Sequence, residues 1–362
     1  MVPARSLLFI ALAGLIPARA LSQHEFLTAP VPSDPLELAT RSIQVVDTQE
    51  GRAALLKILA HARDNYRFKD LGLGYMLKVS FTVDSAGQTQ YDGAWEMEDA
   101  FAPGLGVRWT ATAAAGYATT RIDSGRLHYA EGTEGDIPLV LHEARGALEG
   151  SMPSPDSVDR QTIRTFSATF NGVQLTCVLF SDSGLASAPE AGRGWEETEE
   201  CVDSHSGLLR IHSLVPGRYA LFDYTDAVDF HTHVLPRKVT ITEGGKPTIE
   251  LRLDSLEDLP TPDAALYVPT EQMRANGPAV VLAGMIKIPR LRRPGAAPPG
   301  SMLQPVVVFG LLTPSGQIVD AHSLQPSNIR SDEAVASAAA IKFPDRTPPG
   351  KAPQQHEVFV IE

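Results

Sequence analysis

The chain has 362 residues, of which 43% are apolar and 20% charged, and its formal net charge is −12. That length corresponds to about two domains, and the apolar fraction is enough to fill real cores. An acidic surface without a basic stripe or interleaved aromatics repels phosphate backbones, which excludes nucleic acid as a partner.

At the N-terminus, Arg5 precedes the apolar run "SLLFIALAGLI", and Ala18 and Ala20 supply the small residues of a signal-peptide cleavage site. Cleavage is expected after Ala20. The run has eleven residues, against roughly 20 for a spanning helix, so retention as a membrane anchor is the weaker alternative. Residues 1–20 hold two arginines and no acid, so their removal takes the net charge from −12 to −14. The mature protein is expected in the periplasm or outside the cell. In such an oxidising compartment the two cysteines, Cys177 and Cys201, are expected to form a disulfide. The alternative, two thiols holding a metal, lacks the second pair that a zinc site wants.

Residues 21–40 are polar and proline-bearing and are expected to be loose. "GRAALLKILAHARDNY" (51–66) places Ala54, Leu55, Ile58, Leu59 and Ala62 at helical spacing. The period then changes to two. Strands are predicted over 75–84, 89–98, 106–113, 117–123 and 126–131, joined by loops too short for crossover helices and hence antiparallel. A helix is predicted over 136–150. Strands resume over 164–181, where "NGV" marks a hairpin turn, and continue over 208–215, 220–230, 233–243 and 248–257. Helix, strands, helix, strands describes an α+β fold: a strongly curved, mostly antiparallel sheet with helices packed on one side.

The sequence offers little for catalysis. It has no G-x-S-x-G and no phosphate-cradling G-x-x-x-x-G-K-[ST], and "HEARG" (142–146) lacks the second histidine of a zinc-protease helix. In "DYTDAVDFHTH", His231 and His233 would share one face of a strand and could ligate a metal with Asp226 or Asp229. That low-odds reading is a metal-dependent hydrolase; the expectation is a non-enzymatic protein without a cofactor or metal. Glu196, Glu197, Glu199 and Glu200 form an acidic run beside Gly192 and Gly194, expected to be a solvated loop held at its end by Cys201. The aromatics Trp95, Phe101, Trp109 and Tyr117 fall in the early strands, either as core or as the lining of a ligand cavity.

The segments "YDGAWEMEDAFAPGLGVRW", "CVDSHSGLLRI" and "VLPRKVTI" resemble the half-barrel of the lipoprotein-carrier superfamily, LolA/LolB-like, over residues 41–257. The resemblance implies a concave apolar face that receives an acyl chain or similar ligand; the alternative is a filled core. Residues 305–362 are similar to the TonB C-terminal domain. The motif is a hairpin turning at Pro314, Ser315 and Gly316, a helix "SDEAVASAAAIKFP" (331–344), and the last strand "QHEVFVIE". There Ser331 is the expected N-cap, Ala334, Val335, Ala338 and Ile341 the buried stripe, and Pro344 the stop. This resemblance implies an envelope protein partner, an outer-membrane receptor being one such partner, in support of outer-membrane transport. Two departures stand against energy coupling: "PRLRRPGAAPPGSMLQP" lacks the family's Tyr-Pro element, and the apolar N-terminal run, read as a cleaved signal, is not expected to serve as the family's transmembrane helix. Residues 258–304 are expected to be a Pro-rich linker, and the C-terminal strand edge is a candidate dimer contact. The alternative function is a periplasmic carrier or sensor of a lipid or other hydrophobic ligand.

Overall fold

The computed structural model of the chain describes residues 34–36, 43–85, 89–124, 127–133, 136–149, 152, 158, 161–181, 192–289, 306–325, 329–344 and 352–362. The expected signal segment 1–20, most of the loose segment 21–40 and the basic "RLRR" run (290–293) lie outside the described residues. Among those described, no helix is long and apolar enough to cross a membrane.

In chain order the first unit contains β1 (Gln44–Val45), α1 (Gln49–Tyr66), β2 (Tyr75–Val83), β3 (Gly93–Ala102), β4 (Gly106–Ala113), β5 (Ala118–Ser124), β6 (Leu127–Gly132) and α2 (Leu139–Glu149). It continues with β7 (Thr162–Phe170), β8 (Val173–Ser181), β9 (Thr198–Asp203), β10 (Leu209–Val215), β11 (Arg218–Asp223), β12 (Val228–Phe230), β13 (His233–Leu235), β14 (Lys238–Glu243) and β15 (Lys246–Asp258). Thirteen of these strands form one sheet, ordered β1-β7-β8-β9-β10-β11-β14-β15-β2-β3-β4-β5-β6. Every neighbouring pair in it is antiparallel. The α+β class and the antiparallel meander agree with the sequence reading. Asn171 and Gly172 turn the β7–β8 hairpin with φ of 48° and 80°, the pair of left-handed conformations that an Asn-Gly turn supplies at low cost.

Both helices fill the inner face of the sheet. α1 is capped by Thr48, whose side chain accepts from the Gly51 N–H, and it buries Leu59, Ala62 and Tyr66. Ile58, expected in its apolar stripe, is 36% exposed, because the buried face is centred on 55, 59, 62 and 66. From α2, Val140, Leu141, Ala144 and Leu148 join the same core. The β7–β11 wing is buried on its other face as well, where Leu36 and Ile43 pack on Leu175, Leu179, Ile211 and the Cys177–Cys201 disulfide. The two cysteines are directly opposed on β8 and β9.

The acidic run is not a solvated loop. Glu197, Glu199 and Glu200 are buried, the last two because β9 is an interior strand covered on both faces and Glu197 because it lies just before that strand against Arg164, and each carboxylate meets a partner. Arg164 binds Glu197 at 2.8 Å, Arg193 binds Glu199 at 2.9 Å, and His212 Nδ1 lies 2.8 Å from Glu200.

Beyond Asp258 the chain also departs from expectation. As far as it is described, the proposed linker carries a 3-10 turn (Ala264–Tyr267), α3 (Glu271–Asn276), β16 (Val281–Leu282) and β17 (Ile286–Pro289). The C-terminal unit follows with β18 (Val307–Leu312), β19 (Ile318–Ser323), α4 (Ile329–Ala339) and β20 (Gln354–Ile361). β18 is central, antiparallel to β19 on one side and to β20 on the other. β16 and β17 both add to the far side of β20 in parallel. The last strand is therefore covered on both sides, so it is not the free edge expected for a dimer contact. The physical reason is that apolar stretches between prolines in 278–289 satisfy the ladder groups that β20 would otherwise expose.

The hairpin turns at Pro314–Gly316 as expected. A Cβ at Gly316 would lie 2.0 Å from the Phe343 carbonyl oxygen, and its φ is +80°, so only glycine fits. The following helix starts at Ile329, which leaves Ser331 buried inside its first turn instead of capping it.

Alternation along β18 and β20 sends residues to two separate cores. Val308, Leu312, Val358 and Val360 pack beneath Ala334 and Ala338 of α4. Val307, Phe309, Leu311, Phe359 and Ile361 pack on Leu139 of α2 and Val215 of β10. Phe309 and Phe359 stack at 4.7 Å. The two units thus share a core. Phe309→Ala is expected to cost about 3–5 kcal/mol and to shift one cooperative urea transition of the whole chain, read by tryptophan fluorescence; two separated transitions would show that the units unfold independently.

Charged groups line the rim of that shared core. Arg218 on β11 donates to Glu143 of α2 at 2.6 Å and lies 3.8 Å from Glu243, whose other oxygen is 2.8 Å from His322 Nε2 on β19. His322 Nδ1 is 3.0 Å from the Asp320 carbonyl. Both ring nitrogens face acceptors, which requires the imidazolium. Burial alone would lower the His322 pKa, but the hydrogen bond and charge of Glu243, the Asp320 carbonyl and the charge of Glu143 raise it to about 9. Burial also raises Glu143, against the pull of Arg218 and with Glu243 and Glu357 adding repulsion. Groups whose folded pKa is raised stabilise below their unfolded value and lose that contribution as pH climbs through the folded value. The melting temperature should therefore fall as pH rises from about 6.5 to above about 9. In thermal melts His322→Gln should be less stable than the parent at pH 6 and show a smaller fall over that window.

Candidate functional site

Pairing from β2 to β6 runs without a bulge, so residues of one parity form straight rows across five strands. One inward row reads Tyr75, Phe101, Val107, Asp123 and His128. The next reads Leu77, Asp99, Trp109, Arg121 and Ala130. Beyond them, Phe81 and Trp95 stack at 5.4 Å, with Tyr91 and Tyr117 tilted against Trp95 and edge-on to each other. That end of the inner face is full. Over the first two rows a cavity of about 370 Å³ remains, open on one side and bordered by Lys69, by Ile137 and Arg145 around α2, and by Val280, Val281 and Leu282. Its size falls in the usual range for small-molecule sites, about 300–1,000 Å³.

The cover over the cavity is tied to the sheet edge. Ala279 donates to the His128 carbonyl at 2.9 Å, and Asn276 Nδ2 donates to the Ala130 carbonyl at 3.2 Å. β6 thereby loses its open edge and the cavity gains a wall. That wall also belongs to the C-terminal unit, because Val281 and Leu282 pair with Gln354 and Gln355 of β20. The Gln355 side chain accepts from the Ile137 N–H at 3.0 Å.

The charges inside are unevenly matched. Asp99 is 1% exposed. It accepts from the Tyr75 hydroxyl at 3.3 Å, from Lys69 at 3.3 Å and from Arg145 at 3.2 Å. Arg145 lies over the Trp109 ring at 4.2 Å and Arg121 approaches the same ring at 5.4 Å. Arg121 donates to the Val280 carbonyl. Burial lowers the Arg121 pKa, with Tyr117 and Asp123 opposing and Arg145 adding to the fall. At the mouth, His128 Nδ1 is 2.8 Å from Asp123.

Of the four aromatics considered for a ligand cavity, Phe101 and Trp109 line it, whereas Trp95 and Tyr117 belong to the filled cluster. Lys69, Asp99, Arg121 and Arg145 were not singled out in the sequence. The signal was present for two of them: Asp99 shares parity with Trp95 and Met97, and Arg121 with Tyr117 and Thr119, so each puts a charge where the alternation points inward.

The histidine pair does not form a site. Phe230 and His233 close the β12–β13 hairpin, so His231 and Thr232 are its turn and the two histidines do not lie along one strand. His231, with φ of +54°, points to Asp258 at 2.7 Å, while His233 is buried beside Thr232. Asp226 also has a left-handed backbone, φ +55°, in a turn whose carbonyl accepts from Arg237. Among the described residues the one group with three candidate metal ligands is Cys177, Glu199 and Cys201, and its two sulfurs are bonded to each other. Asp99→Ala is expected to cost about 3–5 kcal/mol in urea denaturation, since it strands buried positive charge. Asp99→Asn, which keeps an acceptor for Tyr75, is expected to cost less.

No protein-family model matches the chain, and no curated protein matches it. Among solved structures it is similar to a putative outer membrane lipoprotein-sorting protein domain from Vibrio parahaemolyticus, at 8% identity over 59% of this chain and 95% of that one, with a TM-score of 0.34. It is also similar to a LolA superfamily protein from Nitrosomonas europaea, at 8% identity over 59% and 96%, with a TM-score of 0.35. Likenesses this low carry no assignment of family or activity. The TonB-type resemblance of residues 305–362 rests on its sequence motif alone.

Proposed function

We propose that this chain is a non-enzymatic carrier or sensor of a hydrophobic ligand in the cell envelope. The observation that carries the reading is the cavity of about 370 Å³ on the inner face of the sheet, walled by Tyr75, Phe101, Val107, Trp109, Ile137 and Leu282. The signal-like N-terminus and the Cys177–Cys201 disulfide support an extracytoplasmic setting. Partner docking by the TonB-like unit has weaker support, because β20 is flanked on both sides and one face of its sheet is buried against α2 and β10.

Two measurements test the reading. Organic extraction of protein purified without detergent is expected to release a lipid detectable by mass spectrometry. In addition, the neutral fluorophore N-phenyl-1-naphthylamine should bind to the wild type, and Leu282→Trp, which fills the cavity from its wall, should weaken that binding by about tenfold or more. Protein that yields no lipid and binds no fluorophore would overturn the carrier reading.

A further inference from the structure

Among the described residues the buried arginines are paired with carboxylates, with one exception. Arg164 is paired with Glu197 at 2.8 Å, Arg193 with Glu199 at 2.9 Å, Arg218 with Glu143 at 2.6 Å and Arg145 with Asp99 at 3.2 Å. Arg121 is 5% exposed, yet among the described residues no carboxylate lies within ion-pair distance of it. Two acids close to it in the sheet are engaged elsewhere: Asp99, in the same row, by Lys69, Tyr75 and Arg145, and Asp123, two residues along the same strand, by His128. Neutral groups stand in for a counter-ion. Val280 offers a carbonyl and the Trp109 ring offers its face, while the Arg121 Nε, like that of the paired Arg164, is buried without a hydrogen-bond partner. A guanidinium does not discharge to relieve this cost, and a buried charge is ordinarily paired. The exception is also the arginine that lines the cavity, together with Lys69 and Arg145.

We propose that the cavity recognises an anionic amphiphile, a hydrocarbon chain ending in a carboxylate or phosphate, and that Arg121 is the residue that reads the anionic end. This rests on the carrier reading above and adds the head group to it. The apolar row of Tyr75, Phe101 and Val107 takes the chain, and the planar fork of Arg121 matches the two oxygens of a carboxylate or phosphate. The acidic surface of the protein, net −12 overall, repels such ligands at long range. Selectivity for an anion therefore has to come from this local group.

The test compares ligands that share a chain and differ in head group: decanoate, decyl phosphate, decanol and decyltrimethylammonium, each displacing N-phenyl-1-naphthylamine from the full chain. Either anion should bind about tenfold tighter than decanol and tighter still than the cation, as expected for a charge-assisted hydrogen bond. A phosphate preference over carboxylate would point to a phospholipid-type source and the reverse to a free fatty acid; both support the proposal. The ratio of anion to alcohol affinity should collapse toward one in Arg121→Gln and be largely kept in Arg121→Lys. A residue that merely held the Val280 segment in place would weaken all four ligands together and leave the ratio intact. Equal affinity for the four ligands in the wild type would overturn the head-group assignment and leave the carrier reading standing. Failure of all four to bind would overturn both.

Discussion

Unbroken antiparallel register from β2 to β6 is the constraint on which the site depends. With a side-chain period of two, a single slipped pairing would turn Phe101, Trp109 and Arg121 to the outer face together. Because no bulge interrupts these four pairings, residues distant in sequence stand in rows, and a row can be filled or left open as a unit. The row led by Phe81, which includes Trp95, is filled by aromatic packing. The rows led by Tyr75 and Leu77 are covered by α2 and the 280–282 segment with space left between.

The second organising feature is the burial of the C-terminal sheet on both faces. A strand such as β18, whose six residues are all buried, needs two cores, and α4 supplies only one. The other is shared with α2 and β10, which makes the C-terminal unit part of the body of the protein. Charged residues at that junction are arranged so that Arg218 and His322 meet Glu143 and Glu243. Replacing one member leaves the others desolvated, so the arrangement enforces how the units meet more than it adds net stability.

These two features meet at β16. Its Val281 and Leu282 wall the cavity on one side and pair with β20 on the other. Gln355 of β20 reaches the Ile137 backbone beside α2. The last strand of the chain thus helps shape a cavity floored by β2 to β6. β20, which pairs with β18 on one side and with β16 on the other, has a wall-building role within the protein itself.

The alternation in 75–131, the helices near 51–66 and 136–150, the Asn-Gly turn and the hairpin at 314–316 were all determined by the sequence itself, because period, caps and turn residues act locally. The same locality accounts for what was not legible. Ile58 has helical spacing but lies off the face that tertiary packing chose. His231 and His233 have strand spacing but fall across a turn. The glutamates of 196–200 look solvated until β8, β10 and the segment at 34–36 close over β9. Residues 278–289 read as linker because a strand pairing with a partner more than seventy residues away leaves no local trace. That Arg121 lacks a carboxylate while every other deeply buried arginine named here has one was decided by the tertiary structure alone, since counter-charges are set by distance in space and not by position along the chain.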